Sequence, residues 1–451
     1  MDYRDLRKKY PVFEYIGYHF QIEKNDLLIT YEYNISKQFY FQHKLVFNLG
    51  EDVKSKIHNP VFENMVFHLG LAEMFSYWKT TCSPVIDIKA ASLGREQIDW
   101  WKDILMNGMG QYFYENKIDF TPKDFIEFTS FGKRFNGNLG QVEGDKTLVP
   151  VGGGKDSVVT LETLASSSLA DAVLIVYPAT QYSTRVAEKS GVKKIIKVSR
   201  KIDPELLNLN SQGFLNGHIP YTNVLFFISL VVAYLTGYKN IAFSNEKSSD
   251  EENIEYLAKN VNHQYSKTFK FENKLREYNQ KFLSKIDLFS FLRPLYDLQI
   301  AKIFSRHEKY FDIFRSCNVG QQAGVWCCDC PKCLSTFILL FPFLGPKKII
   351  KVFPHSLYED EHLASLLDDL VSENKIKPFE CVGTREEIKV GLFLSLRSYH
   401  GEELPKLLEY AKRKYLEDTK YLESKSKEIL LNWDDNNNLT PKFSKVIKNE
   451  I

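Results

Sequence analysis

The sequence lacks any apolar run long enough to cross a bilayer. Among its 451 residues, the most apolar stretch covers residues 224–235 and is too short for a membrane span, so it predicts a buried helix. The first fifteen residues contain no apolar core of a signal peptide. We therefore expect a soluble, cytoplasmic protein without a membrane partner.

The sequence also lacks an excess of charge of one sign. Its 59 Lys and Arg residues face 57 Asp and Glu residues, which gives a formal net charge of +2. This balance gives no support for a nucleic acid partner. Hydrophobic residues make up 44% and charged residues 26%, as in globular proteins, and the length suffices for two or three domains.

Cysteine is scarce outside one cluster, since five of the seven cysteines lie between positions 317 and 333. Cys317, Cys327, Cys330 and Cys333 have the spacing C-x9-C-x2-C-x2-C, which can place four thiolates around one point. Four thiolates leave no open position, so this spacing favours a structural Zn²⁺ site rather than a disulfide framework, with Cys328 pointing elsewhere. An Fe–S cluster and a redox-active cysteine pair are the competing interpretations.

A glycine loop at residues 152–154 stands between a predicted strand, residues 146–151, and a predicted helix. Backbone N–H groups without side chains around them can converge on an anion, and the helix N-terminus adds its positive dipole end. Lys155 supplies a cation, Asp156 can hold a divalent metal, and Ser157 can cap the helix or donate to a phosphate. The alternative is a tight turn without a ligand.

Two common phosphate loops do not fit this stretch. The P-loop pattern needs four residues between its first glycine and Gly-Lys-Ser/Thr, and they are absent. The third glycine of the dinucleotide fingerprint would fall at Ser157.

Strands and helices alternate from residue 146 onward. Predicted strands at Ala172–Tyr177, 194–198 and 240–244 and a helix at Tyr221–Thr236 indicate an α/β fold with a doubly wound parallel sheet. Residues 10–48 alternate as an antiparallel β segment, and the last hundred residues are helical and charged. We predict three parts: an α+β N-terminal domain (1–140), an α/β domain with the glycine loop and the cysteines (141–345), and a helical C-terminal region (346–451).

Two loops of this α/β region are candidates for lining a site. One is residues 245–248, directly after a strand, and the other is residues 216–220, just before the apolar helix. Each is equally well explained as a polar turn with a capping residue. His218, taken alone, is more often a structural histidine than a base.

The glycine stretch resembles the pyrophosphate-loop (PP-loop) motif of the N-type ATP pyrophosphatases, Ser-Gly-Gly-x-Asp-Ser, with Gly152 in place of the leading serine. The resemblance implies an adenine nucleotide alpha-hydrolase-like fold, cleavage of ATP between its α and β phosphates, and Mg²⁺ at Asp156. It implies nucleotide binding by Val151, Gly152, Gly153, Gly154, Lys155, Asp156, Ser157, Tyr177, Ser244 and Asn245.

The cysteine cluster after such a loop is similar to the deazaguanine synthases of the queuosine pathway, which keep a structural zinc. That similarity covers the middle third only. A fuller resemblance is to the ATP-dependent, MurL-like epimerases of UDP-N-acetylmuramoyl-L-alanyl-L-glutamate, a family of peptidoglycan precursor synthesis. It rests on residues 67–84 (FHLGLAEMFSYWKTTCSP), 149–157 (VPVGGGKDS), 216–222 (NGHIPYT), 244–253 (SNEKSSDEEN), 326–333 (WCCDCPKC) and 382–387 (VGTREE).

This resemblance implies that ATP adenylates the α-carboxylate of the terminal L-glutamate, which makes its α-proton acidic enough to be moved. AMP, pyrophosphate and the D-glutamyl product are then released. The implied catalytic residues are Lys155, Asp156, His218 and Glu246, with His263 and Tyr265 as further proton carriers. The implied substrate contacts are Asn216, Gly217, His218, Tyr221 and Arg385.

Three other functions remain open from the sequence. One is another adenylating enzyme, such as a deazaguanine synthase-like or tRNA-modifying ligase. Another is a nucleotide-binding module without catalysis. The last is a defence-associated homologue that has kept the loop and changed its substrate.

Overall fold

The structure is a computed structural model that describes residues 1–50, 55–135, 139–178, 181–320, 323–399 and 403–451. Ten of its strands form one mixed sheet with the order β12-β9-β6-β7-β8-β3-β2-β1-β4-β5, and β10 and β11 form a separate hairpin. The strands are β1 (Val12–Glu23), β2 (Asp26–Ile35), β3 (Phe39–Asn48), β4 (Val85–Ile88), β5 (Glu127–Ser130), β6 (Thr147–Pro150), β7 (Ala172–Tyr177), β8 (Lys194–Lys201), β9 (Asn240–Phe243), β10 (Ile254–Tyr256), β11 (Lys259–Val261) and β12 (Asp287–Ser290).

Helices cover this sheet and make up most of the last third of the chain. They are α1 (Tyr3–Lys9), α2 (Pro60–Glu73), α3 (Phe75–Trp78), α4 (Arg95–Gly108), α5 (Gly110–Glu115), α6 (Lys155–Ser166), α7 (Gln181–Lys189), α8 (Pro204–Ser211), α9 (Tyr221–Thr236), α10 (Phe269–Phe282), α11 (Asp297–Phe304), α12 (Pro331–Ile349), α13 (Ala364–Val371), α14 (Arg385–Leu396), α15 (Lys406–Tyr415), α16 (Thr419–Leu431) and α17 (Pro441–Lys448). In the described ranges, none of these helices is long and apolar enough to cross a membrane.

The antiparallel segment predicted for residues 10–48 is present as β1, β2 and β3. It does not form a sheet of its own, because β3 pairs antiparallel with β8 over residues 44–48 and 197–201. The sheet is therefore continuous across residue 140, where we predicted a domain boundary, and the division into parts stays a prediction.

Among the strands after residue 146, β6, β7, β8, β9 and β12 pair with one another in parallel, as their alternation with helices predicts. Both faces of the parallel part of the sheet are buried, because successive side chains of β7 point to opposite faces. Ala172 and Leu174 pack into one hydrophobic cluster, and Val173 and Ile175 pack into a second one. The first cluster contains α2 and α9, and the second contains α6, α11 and α12. This double cover explains the unbroken apolar run of β7.

The order of the parallel strands contains one reversal. From β6 the chain proceeds to β7 and β8 on one side, and it then returns through α9 to β9 on the other side of β6. In open α/β sheets, ligands bind at the carboxyl ends of the strands beside such a reversal. The loops after β6 and β9 are therefore the expected walls of a site.

The C-terminal region is helical, as predicted, and packs on the second cluster. Its junction is the helix α12, whose interior is broken at Gly345, with φ 66° and ψ 177°. A left-handed φ of this kind suits glycine, and the break coincides with the predicted boundary at residue 345.

Candidate functional site

A cavity of about 290 Å³ opens where β6 and β9 end. Its wall combines the glycine loop after β6, the loop after β9, the start of α9 and the segment that precedes the cysteine cluster. The lining residues include Gly152, Gly154, Asp156, Ser157, Tyr221, Ser244, Asn245, Glu246, Lys267, Arg315, Ser316, Asn318 and Lys332. The strand reversal thus brings together two loops that lie about ninety residues apart in the chain.

The glycine loop is held by its own backbone and by two neighbours. Gly153 has a φ of +89°, and a Cβ there would lie 2.8 Å from the backbone nitrogen of Ser183, so this position requires glycine. Ser157 accepts the Gly153 N–H at 3.1 Å and donates to the Gly154 carbonyl at 2.9 Å. Arg315 N–H donates to the Gly153 carbonyl at 3.1 Å.

Lys155 is buried behind this loop rather than free in the cavity. Its ammonium contacts Asp156 at 2.5 Å and also pairs with Asp297, the first residue of α11. Burial alone would lower the pKa of Lys155, but the two carboxylates raise it well above its ordinary value. Lys155 is therefore a permanent cation that fixes the position of Asp156.

Glu246 places a buried carboxyl group in the cavity wall, with 6% of the residue exposed. Burial raises its pKa to about 7, the charge of Asp156 adds to this effect, and the charge of Lys267 partly offsets it. Within the described residues its carboxyl group makes no hydrogen bond and no ion pair. A carboxyl group of this kind exchanges protons near neutral pH.

Arg293 holds Glu246 and Lys267 at their backbones. Its guanidinium, in a residue only 1% exposed, donates to the Glu246 carbonyl at 2.7 Å and also to the Lys267 carbonyl. The charge is balanced at a distance by Glu272, at 3.7 Å. Arg293 therefore acts as a positioning residue that the sequence did not reveal.

A pair of histidines lies next to the same charges. The rings of His218 and His263 are 4.4 Å apart, and burial, followed by nearby positive charge, lowers the pKa of each to about 3. Lys267 contributes to both shifts. Both imidazoles are therefore neutral at physiological pH.

The N-terminal part of the chain positions the His218 loop. Lys79 donates to the Gly217 carbonyl at 2.8 Å, and Asn116 donates to the Asn216 carbonyl at 2.9 Å. The first third, in which the sequence showed no chemistry, thus holds the loop that leads into α9.

The four predicted zinc ligands converge as their spacing suggested. The sulfur atoms of Cys317, Cys327, Cys330 and Cys333 all lie within 4.8 Å of one another. Two of the sulfur–sulfur distances are 3.9 Å, for Cys317 and Cys330, and 3.7 Å, for Cys327 and Cys333. They match the distance of about 3.8 Å between two sulfurs bound tetrahedrally to one zinc ion. Cys328 is not in the group, and its thiol faces the Trp326 carbonyl at 3.6 Å.

Backbone N–H groups also point at these sulfurs. Gly320 donates to Cys317 at 3.0 Å and Cys333 donates to Cys330 at 3.4 Å. Such donors stabilise metal-bound thiolates, so the donor set fits a closed, structural zinc site.

The cysteine cluster is built into the wall of the cavity. Arg315, Ser316 and Asn318 flank Cys317, and Lys332 lies between Cys330 and Cys333. The cluster therefore places two cationic residues, Arg315 and Lys332, in the lining of the cavity that the glycine loop also lines.

The cavity residues fit a triphosphate nucleotide with a divalent cation. Two buried polar atoms of its lining, the hydroxyl of Ser244 and Nε of Arg315, have no hydrogen-bond partner within the described ranges. Asp156 and Glu246 both line the cavity and repel each other, and a divalent cation between two carboxylates relieves such repulsion.

Most of the predicted nucleotide site comes together, whereas other predicted residues lie apart. Val151 is buried in the core, Tyr177 bonds Thr184 at 2.8 Å, and Tyr265 donates to Asp103 at 2.8 Å. Arg385 donates to the carbonyls of residues 369 and 375 and lines a different, open pocket. None of these four side chains lines the cavity.

Sequence reasoning missed the cations Lys267, Arg315 and Lys332. Lys332 sits inside the C-x2-C step of the cluster, and its position there was a usable signal. Lys267 follows no strand and belongs to no motif, so only the fold brings it to Glu246.

Known protein families match both halves of the chain. The family described as the MurL N-terminal domain matches residues 4–291, and the MurL C-terminal domain matches residues 313–420. A relative from Xanthomonas oryzae pv. oryzae is 32% identical over 325 residues, covering 70% of this chain and 71% of the relative.

Two further relatives give the same result. One from Salinispora tropica is 34% identical over 71% of this chain and 70% of its own length. One from Micromonospora sp. is 32% identical over 71% of this chain and 72% of its own length. All three carry the name UDP-N-acetyl-alpha-D-muramoyl-L-alanyl-L-glutamate epimerase. The chain belongs to the MurL family.

Proposed function

We propose that this protein uses ATP to epimerise the terminal L-glutamate of UDP-MurNAc-L-Ala-L-Glu to D-glutamate, in peptidoglycan precursor synthesis. The names of the relatives support the substrate and the epimerisation. The observation that supports ATP use is the glycine loop at the strand reversal, which lines a cavity together with the cationic residues Lys267, Arg315 and Lys332.

In this proposal the loop after β6 belongs to the PP-loop class and binds the phosphates of ATP. Its backbone N–H groups and the N-terminus of α6 meet the phosphates, while Arg315 and Lys332, which line the same cavity, neutralise them. Asp156, oriented by Lys155, would hold Mg²⁺, which neutralises the departing pyrophosphate.

Adenylation makes the epimerisation chemically feasible. A free α-carboxylate resists loss of the α-proton, because the carbanion would form beside an anion. Joining the carboxylate to AMP removes that charge, so the α-proton of the acyl adenylate is far more acidic. Hydrolysis after the proton transfer releases AMP and the D-glutamyl product.

Among the predicted proton carriers, Glu246 has the environment best suited to the task. Its pKa of about 7 allows its carboxyl group both to donate and to accept a proton near neutral pH. His218 and His263 are neutral, which suits hydrogen bonding to the substrate more than proton donation. Tyr265 is committed to Asp103, so we assign it no proton transfer.

The cysteine cluster would hold Zn²⁺ in a structural role. All four of its ligands are thiolates, which leaves no position for a reacting group. We propose that it keeps Arg315 and Lys332 in the lining of the cavity.

The test is incubation of purified protein with ATP, Mg²⁺ and UDP-MurNAc-L-Ala-L-Glu, followed by acid hydrolysis and chiral chromatography of the glutamate. We expect D-glutamate together with AMP, and neither product when ATP is omitted. Asp156→Asn, which keeps the shape and removes the charge, should abolish both. Recovery of only L-glutamate from the wild-type protein would overturn the proposal, and turnover with a tRNA or purine-like substrate would replace it.

A further inference from the structure

One cysteine belongs neither to the metal cluster nor to the hydrophobic core. Cys381 lies in the loop between α13 and α14 and is half-buried. Its sulfur accepts a hydrogen bond from the Lys267 ammonium at 2.9 Å. Lys267 lines the cavity of the glycine loop, so the thiol lies one hydrogen bond away from a residue of the candidate active site.

Lys267 has no carboxylate partner to compete with this thiol. Within the described ranges its ammonium bonds only Cys381 and, at 3.3 Å, the side-chain oxygen of Gln264. Its main chain is fixed by Arg293, which also fixes Glu246. The same buried arginine therefore fixes the main chain of both Lys267 and the candidate acid.

The charges around Cys381 favour its thiolate. Burial would raise the pKa of the Cys381 thiol, but Lys267 and then Lys332 outweigh it and lower the pKa, while Asp156 opposes them. Glu380 adds a further carboxyl group, whose own pKa burial raises.

A second observation points to a ligand at this place. The carboxyl group of Glu246 lines the same cavity in a residue that is 94% buried, yet it makes no hydrogen bond and no ion pair with any described residue. Its oxygens open into the cavity, where a ligand can form the hydrogen bonds that the protein does not supply. The charge of Lys267 acts on both Glu246 and Cys381.

We propose that Cys381 is a catalytic proton carrier of the epimerisation, with Lys267 as its counter-ion and Glu246 as the carrier that serves the opposite face of the substrate. This inference rests on the proposed function. It assigns chemistry to a residue that carries no sequence motif, and it gives Lys267 a positioning role.

The proton transfer balances without any further reactant. The thiolate of Cys381 takes the α-proton of the glutamyl adenylate, an S–H bond forms, and the electron pair of the broken C–H bond enters the enolate. The protonated carboxyl group of Glu246 then gives its proton to the other face of the α-carbon and becomes a carboxylate. The reverse sequence converts the D-isomer to the L-isomer, and solvent restores both groups after product release.

The test compares Cys381→Ala and Glu246→Gln with Cys82→Ala, a control thiol that is buried and far along the chain from the site. Three quantities are measured in D₂O with each isomer of the substrate: pyrophosphate release, deuterium incorporation at the α-carbon, and epimerisation. We expect Cys381→Ala to lower epimerisation by about 10²-fold or more while substrate-dependent pyrophosphate release continues. Deuterium should enter from one isomer only, and Glu246→Gln should show the opposite preference.

Two results would overturn the role of Cys381 while the proposed function survives. One is epimerisation by Cys381→Ala at the wild-type rate. The other is a glutamyl adduct on Cys381 in the intact mass, which would make it a nucleophile instead of a proton carrier. If the wild-type protein neither releases pyrophosphate nor epimerises, the proposed function fails and this inference falls with it.

Variants of Lys267 that still fold give an independent test, which is the dependence of the rate on pH. Lys267→Gln removes the positive charge, so the pH at which the rate falls on the acidic side should move upward, whereas Lys267→Arg should keep the wild-type profile. An unchanged profile in Lys267→Gln would exclude Lys267 as the counter-ion. Thermal unfolding of each variant shows whether it has folded.

Discussion

The glycines of the loop at residues 152–154 have different structural roles, although the sequence shows three identical residues. A Cβ at Gly152 would meet nothing within 4 Å, while one at Gly153 would meet the backbone of Ser183 at 2.8 Å. Only Gly153 has a left-handed φ, of +89°. The backbone geometry therefore depends on Gly153, and Gly152 leaves open space.

This difference predicts opposite outcomes for two small substitutions. Gly152→Ser restores the serine of the PP-loop motif and should keep AMP formation within about threefold of wild type, since no contact is disturbed. Gly153→Ala should lower the free energy of unfolding by about 1–2 kcal/mol because of its φ alone. The contact of the new Cβ with the Ser183 backbone should lower it further, and the variant should not bind ATP. Steady-state kinetics and equilibrium binding of ATP check both, and equal loss in the two variants would contradict this description of the loop.

Glu246 makes the stability of the protein depend on pH. Its folded pKa of about 7 lies above the value of the unfolded chain, near 4.5, so its ionisation costs stability as the pH rises from about 4.5 to 7, and the full cost persists above 7. Glu246→Gln removes the cost and should raise the free energy of unfolding on the order of 1–3 kcal/mol at pH 8, with no gain at pH 4.5.

The measurement is denaturant unfolding at both pH values. The control is Glu96→Gln, because Glu96 is exposed and pairs with Lys281 at the surface. A gain that is the same at pH 4.5 and pH 8 would show that folding does not raise the pKa of Glu246.

The residues that could be predicted are those tied to a local pattern. The glycine loop and the four clustered cysteines were readable because short spacings fix their geometry. Lys267, Arg293 and Cys381 were not, because their roles come from contacts between segments that are far apart in the chain.

At the scale of elements, the cysteine cluster connects the segment before α12 to the glycine loop. Arg315 bonds the loop backbone, and the ligand Cys317 follows two residues later. Strands and helices were largely predictable, since the period of the apolar residues reports which faces are covered. The sequence pattern could not predict that the cysteine cluster forms a wall of the cavity.

A matched pair of cysteine variants tests this connection. Cys330→Ser removes a predicted ligand, so it should reduce bound zinc from one ion per chain and raise the KM for ATP by about tenfold or more, as Arg315 and Lys332 lose their support. Cys328→Ser should keep both values, because its thiol faces away from the cluster. Metal analysis and kinetics check this, and full zinc content in Cys330→Ser would contradict the assignment of the ligands.

At the scale of the whole molecule, one sheet joins what the sequence suggested were two domains. The pairing of β3 with β8 links residues some 150 positions apart, and composition carries no signal for such a contact. The first third also covers α9 through α2 and holds the His218 loop through Lys79 and Asn116. The site therefore depends on the N-terminal part.

Removal of residues 1–140 tests this dependence. The remaining chain would expose the edge of β8 and the apolar face of α9, so we expect it to aggregate when expressed alone. Co-expression of residues 1–140 as a separate chain is the control and should recover soluble protein. A truncated chain that is monomeric and unfolds cooperatively would instead support independent domains with a boundary at residue 140.

The most direct test of the central claim follows an oxygen atom. UDP-MurNAc-L-Ala-L-Glu is prepared with ¹⁸O in the α-carboxylate of its glutamate, incubated with the protein, ATP and Mg²⁺, and the nucleotide products are analysed by mass spectrometry. Passage through an acyl adenylate predicts AMP that carries one ¹⁸O in its phosphate, formed in step with D-glutamate. Unlabelled AMP, or ADP in its place, alongside D-glutamate formation would contradict the account.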